Sequence, residues 1–190
     1  MSSHHIVREK QEPALLLLGL NHFPDELLGQ LLEWSPTVFA AHEIAEKIMS
    51  AGIKIDWVVG NDKREYLQNN VGFLKAGNSQ SADAPLAYLI EHGYPSVNIV
   101  TDLPDLKAYT FYIDRINIVI FCNGKKIYPV NPGFSKWKPA GEVIELLSEV
   151  SDIHTKGLYK IGPNLFKTKH DGFFSLNFEG SFLLIAEYFQ

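Results

Sequence analysis

The chain has 190 residues, 46% of them hydrophobic, a single cysteine and a formal net charge of −5 at pH 7. That length and apolar content suit one large domain or two small ones and exclude a disordered chain, and the mild acidity speaks against a nucleic-acid partner, which needs a clustered excess of Lys and Arg. Cys122 cannot form an intramolecular disulfide and belongs to no zinc-type spacing, the longest apolar run is too short to span a bilayer, and no signal-peptide layout is present; a cytoplasmic protein with no membrane partner is expected.

Residues 14–18, ALLLL, read as a fully apolar strand, central in a parallel sheet. Residues 24–34 carry Leu27, Leu28, Leu31 and Leu32 at helical spacing, and 37–41 form the next strand. Ile44, Ile48 and Ala51 then recur along a helix that Gly52 can end, before the short apolar strand 57–59. Residues 65–73 are read as helix or partial helix. Residues 79–92 form another, with Asp83 and Pro85 near its start and Gly93 as its stop. Strands 97–101 and 116–121 complete a β/α alternation that implies βαβ crossovers and a doubly wound sheet.

After Cys122 the pattern changes. Asn123-Gly124 between two β-rich runs is a hairpin signal, and strands at 125–130, 153–155, 158–161, 173–178 and 181–189 follow, separated by turns. Residues 142–150 have helical spacing through Val143, Leu146, Leu147 and Val150, yet the segment is short and lies among strands, so it is read as strand. The expected fold is α/β: a doubly wound, mainly parallel sheet domain over residues 1–122, followed by a smaller all-β sandwich domain over 123–190.

Polar turns at strand ends are where α/β folds place chemistry. Here the turn is Gly60-Asn61-Asp62-Lys63-Arg64. Lys63 and Arg64 either bind a phosphate directly or form a solvated basic turn, and His42 is either a base or ligand or a structural residue at a helix start. Glu43 suits the first helical turn. Asp102 and Asp105, after the strand 97–101, could take a cation or a ligand's hydroxyls, or belong to a Pro-stiffened turn. Cys122 reads as an inert buried thiol and Trp34 and Trp57 as core or interface, while Trp137 is core, interface or a ring exposed in a cleft where a heterocycle could stack.

The segment 40–64 resembles the thiamine pyrophosphokinase family, whose pattern is A-D-G-G-A, a helix, G-I-x-P-D, an apolar strand and G-D-x-D-S. Ala40, Ala41, Ala45, Gly52, Ile53, Asp56 and Gly60 match that framework. His42 stands in place of the first Asp, Glu43 and Ile44 in place of the glycines, and Asn61, Lys63 and Arg64 in place of the later Asp, Asp and Ser. Asn78 and Ser81 fall near the D-x-T-D motif, and residues 102–107 replace G-G-R-x-D-H. Residues 153–159 resemble the family's V-T-x-x-G-L-K-Y pair, and 171–177 stand where it has R-G-I-S-N.

The resemblance implies an ATP-binding α/β domain, a thiamine-binding β-sandwich, a homodimer, and pyrophosphoryl transfer from ATP to thiamine giving thiamine diphosphate and AMP, with Mg²⁺ if the protein is active. It implies nucleotide or phosphate binding by His42, Asn61, Lys63 and Arg64, thiamine-like ligand binding by Trp137, Ser175 and Asn177, and Asp62, Asp83 and Asp102 as the acids left for catalysis. Because the acidic metal-binding motifs are replaced, the expectation is a transferase-like protein with degenerate catalytic motifs. The alternative is a catalytically inactive homologue that serves as a dimeric phosphate, nucleotide or small-ligand binding protein.

Overall fold

The computed structural model describes residues 12–21, 23–62, 68–77, 82–148, 150 and 152–189. The chain forms two compact units, Met1–Ile118 and Val119–Gln190. In the first, β1 (Ala14–Leu17), α1 (Asp25–Leu32), β2 (Val38–Ala41), α2 (His42–Ser50), β3 (Trp57–Gly60), β4 (Gly72–Lys75), α3 (Asp83–Glu91), β5 (Ser96–Val100) and α4 (Leu106–Thr110) follow one another. Its strands lie side by side in the order β5-β1-β2-β3-β4, every neighbouring pair parallel. All four residues of β1 are buried because it is flanked on both edges, which is why its sequence is continuously apolar instead of alternating.

Two helices end as their glycines predict. Past α2, Gly52 takes a φ of 78°, with Gly52 N–H donating to the Met49 carbonyl and Ile53 N–H to that of Ile48; past α3, Gly93 at φ 72° and Tyr94 repeat the motif on Ile90 and Leu89. Only glycine enters this left-handed position without strain, and the two bonds satisfy the last carbonyls of the helix.

Within 65–73 the structure differs from the predicted helix. Residues 65–67 lie outside the described residues; Gln68 to Asn70 form a bend and turn, and Gly72–Lys75 is a strand paired parallel to β3. A Cβ at Gly72 would come 2.4 Å from the Trp57 ring, so the glycine is there for that ring, which packs on Phe39 and Tyr88 with centroids 6.2 and 4.8 Å apart. Trp57 is thus a packing residue, whereas Trp34 is 69% exposed and not part of the core. Asp56, one of the framework residues, accepts Val38 N–H at 2.9 Å and fixes the start of β2.

The second unit is built of strands: β6 (Asn117–Cys122), which enters it, β7 (Lys125–Val130), β8 (Phe134–Lys138), β9 (Val143–Leu146), β10 (His154–Lys156), β11 (Leu158–Lys160), β12 (Leu165–Thr168), β13 (Gly172–Asn177) and β14 (Leu183–Tyr188). Asn123 and Gly124 both have positive φ, as the tight β6–β7 hairpin requires. Strands β11-β12-β9-β14-β7-β6 lie in one sheet and β10-β13-β8 in another. Ile144, Leu146, Leu158, Phe166, Phe174, Leu176, Leu183 and Ile185 share one core. In β9 the period is two: Ile144 and Leu146 are buried in that core, while Glu145 between them bonds Lys125 and Tyr188 at 2.7 Å each. Tertiary pairing therefore overrides the helical spacing of 142–150.

Candidate functional site

In the first unit the chain runs from β1 through β2 and β3 to β4 on one side, then returns to place β5 on the other side of β1. The direction of winding reverses between β1 and β5, and open parallel sheets form their ligand crevices outside the carboxyl ends of the strands at such a point. A cleft of about 380 Å³ lies there, lined by Leu18, Ala82, Thr101, Asp102, Leu103, Asp105 and Tyr109.

Its floor is held closely. Leu18 and Gly19 N–H both donate to the Val100 carbonyl, at 2.8 and 3.3 Å, so the two chain segments stay together past the strand ends. The Asp102 carboxylate then crosses directly over Gly19, where a Cβ would stand 2.2 Å from Oδ2, and Oδ1 accepts Asn21 N–H at 2.9 Å. Thr101 is buried, and its Oγ1 accepts Leu103 N–H at 3.3 Å. Asp105 caps α4 by accepting Ala108 N–H at 3.1 Å, and Tyr109 is buried on that helix. The cleft thus offers two carboxylates, a hydroxyl and apolar walls: a lining that accepts hydrogen bonds from hydroxyl or amino groups and disfavours bare anions.

The other predicted residues are dispersed. His42 opens α2, with its ring against Gly60, whose hypothetical Cβ would be 2.9 Å from Nδ1, and with Glu43 at 3.2 Å. It therefore sits at the ends of β2 and β3, next to the turn where Asn61 and Asp62 are exposed. Lys63, Arg64, Asn78 and Ser81 lie outside the described residues. Asp83, in the first turn of α3, accepts the Tyr112 hydroxyl at 3.0 Å; burial first, and then that carboxylate, push the phenol's pKa up.

Among the described residues no three His, Cys, Asp or Glu side chains converge in a way that could hold a metal ion. Mg²⁺ takes a near-octahedral set of oxygens, usually one or two carboxylates with waters and substrate phosphates. Asp62, Asp83 and Asp102 do not build a protein-derived cage of that kind.

In the second unit, Phe174 and Leu176 of β13 enter the core, so Phe173, Ser175 and Asn177 face the other way. Trp137 is directly opposite Phe173, His154 opposite Asn177 and Lys156 opposite Ser175. Trp137, Ser175 and Asn177 are therefore brought together on one outer face, where Trp137 is 53% and Phe173 69% exposed.

No family model matches the sequence, and no curated protein matches it. Solved structures do. Thiamine pyrophosphokinase from Bacillus subtilis is similar with a TM-score of 0.66 and 12% identity, covering 94% of this chain and 100% of that one. The Candida albicans enzyme is similar at 0.65 and 10% identity over 96% and 91% of the two chains, and the yeast enzyme at 0.57 and 11% over 96% and 88%. The chain has the thiamine pyrophosphokinase fold. Its helices and its mixed parallel and antiparallel strands follow that fold along almost the full length of each relative, while the identity is low enough that the likeness concerns architecture.

The sequence groups Asp83 and Asp102 with the β2 and β3 turns, whereas the cleft gathers Asp102 with Leu18, Thr101, Asp105 and Tyr109 from around β1, β5 and α4. Asp102 and Asp105 were visible as acids after a strand. Tyr109 was not, because α4 is only five residues long and carries too little periodicity to read. No helix among the described residues is long and apolar enough to cross a membrane.

Proposed function

We propose that this protein is a small-ligand-binding member of the thiamine pyrophosphokinase fold that takes the hydroxyl-bearing part of a nucleotide into the β1/β5 cleft and does not catalyse pyrophosphoryl transfer. The observation that carries the reading is Asp102, laid over Gly19 and anchored by Asn21 N–H at the point where the winding of the sheet reverses. A carboxylate so placed suits ribose hydroxyls. Phosphates would be repelled from it and are assigned instead to the turn bearing Asn61, Lys63 and Arg64, near His42. The outer face with Trp137, Ser175 and Asn177 is assigned to a thiamine-like ring, which the indole can stack on. A homodimer and a cytoplasmic location belong to the same reading.

Titration calorimetry of the full chain with ATP and with thiamine, each with and without Mg²⁺, tests it beside an assay of AMP release. Nucleotide binding that does not need metal and is weakened roughly tenfold by Asp102→Asn, without AMP release, is expected, since a hydrogen bond to a charged group contributes about 1.5–3 kcal/mol. Asparagine keeps an oxygen for Asn21 N–H, so the variant removes charge and not the anchor. Mg²⁺-dependent AMP release with thiamine would overturn the proposal. That second reading, an active pyrophosphokinase, is favoured by one observation: Ala82, beside Asp83, lines the same cleft as Asp102.

A further inference from the structure

The second unit contains an arrangement of charges that the ligand reading above does not use. On β14, Glu187 follows Leu183 and Ile185 on the core-facing side and is itself only 5% exposed. Its Oε1 receives Lys136 Nζ at 2.6 Å and the Tyr128 hydroxyl, and its Oε2 receives Lys138 Nζ at 2.9 Å. Both lysines come from β8 in the opposite sheet, where Phe134, Lys136 and Lys138 alternate with the more exposed Ser135 and Trp137. Charges thus close one end of the interior between the two sheets.

A third lysine joins them. Lys126 is directly opposite Glu187 in the β7–β14 register, half-buried, with its Nζ 5.8 Å from the centre of the Phe121 ring. It makes no ion pair among the described residues, because Glu187 is already taken by Lys136 and Lys138. The next carboxylate, Glu142, lies 3.7 Å from Lys138 and is 38% exposed. Three ammoniums therefore face two carboxylates, and the excess positive charge sits on the most poorly neutralised member. Burial, and then the neighbouring Lys136 and Lys138, push the Lys126 pKa down against the opposing pull of Glu187.

A half-buried ammonium without a counter-ion is costly, and the missing charge is that of a small oxyanion. We propose that Lys126, Lys136 and Lys138 form a binding site for a phosphate group at the charged end of the second unit's core. Lys126 supplies the unneutralised charge, Lys136 and Lys138 extend the donor set, and Glu187 holds the two β8 lysines in place. The site shares no residue with the β1/β5 cleft.

Inorganic phosphate titrated into the full chain at constant ionic strength, against chloride, is the test. Saturable binding is expected, because the anion supplies the negative charge that Lys126 shares only in part with Glu187. The charged groups acting on that amine are Lys136, Glu187 and Lys138, and the Phe121 ring of β6 lies beside it. Lys126→Met should weaken phosphate binding at least tenfold, while raising the thermal midpoint of the free protein. Lys125→Met, on the other face and paired with Glu145, should leave binding unchanged, which separates this site from any phosphate held in the first unit. A phosphomonoester titrated in parallel distinguishes a free ion from one carried on an organic ligand. Absence of saturable binding, binding matched by chloride, or equal loss in the two lysine variants would overturn the proposal and leave the cluster as a tie between sheets.

Discussion

The two units hold a carboxylate in place in opposite ways. In the first, the half-buried Asp102 accepts a backbone N–H, that of Asn21, and its position depends on a missing side chain at Gly19. In the second, Glu187 is satisfied by side chains from another sheet, two lysines and a tyrosine. A carboxylate held by backbone is available wherever a strand ends beside a turn. One held by lysines requires three strands to arrive in register, and removing any one partner leaves the others charged and desolvated.

The most severe way to break this contrast is Glu187→Ala. We expect a loss of about 3 kcal/mol in urea unfolding, the lower end of what breaking a buried pair costs, because Lys136 is 35% exposed and can turn to water. Replacing Glu187, Lys136 and Lys138 together by Leu, Met and Met should recover most of that loss. If the single variant is neutral, the network is not a stabilising tie. Next is Gly19→Ala, which brings a methyl to 2.2 Å from Asp102 Oδ2; overpacking of this kind costs about 1–3 kcal/mol, and nucleotide binding should weaken with it. Unchanged binding in that variant would remove Asp102 from the site.

A pH series sharpens the comparison further. Burial pushes the Glu187 carboxyl up, but hydrogen bonds from Lys136, Tyr128 and Lys138 outweigh it and leave the pKa below the ordinary 4.5. A group whose pKa is depressed by folding contributes stability above its unfolded pKa and loses that contribution as pH falls through the folded value. The stability gap between wild type and Glu187→Gln should therefore stay level from neutral pH down to about 4.5 and shrink below it. A gap that is independent of pH would assign the effect to packing. The smallest change is expected from Gly29→Ala on the exposed side of α1, where a Cβ meets nothing within 4 Å and helix propensity favours alanine by about 1 kcal/mol.

Much of the architecture is legible in residue order. The ALLLL run, the glycines at 52 and 93 and the Asn123-Gly124 hairpin each report a local backbone requirement, and the structure meets all of them. Strands β4, β8 and β12 leave no such local mark. Gly72–Lys75 reads as neither period, and Phe134–Lys138 alternates Lys with exposed Ser and Trp, so its inward face carries two lysines beside a single Phe. The acids at 102 and 105 were visible, but their geometry was not, since Asn21 precedes Asp102 by 81 residues.

Residue order alone determined which segments are strands buried on both faces, where two helices stop, and where the parallel half gives way to hairpins, because each rests on steric and hydrophobic rules acting over a few neighbouring residues. Tertiary structure alone decided that the cleft opens between β1 and β5, that Trp137, Ser175 and Asn177 share a face, and that Glu187 meets Lys136 across 51 positions. Those outcomes depend on sheet order and cross-strand register, which are set by the sum of many distant contacts and leave no local trace in the residues they bring together.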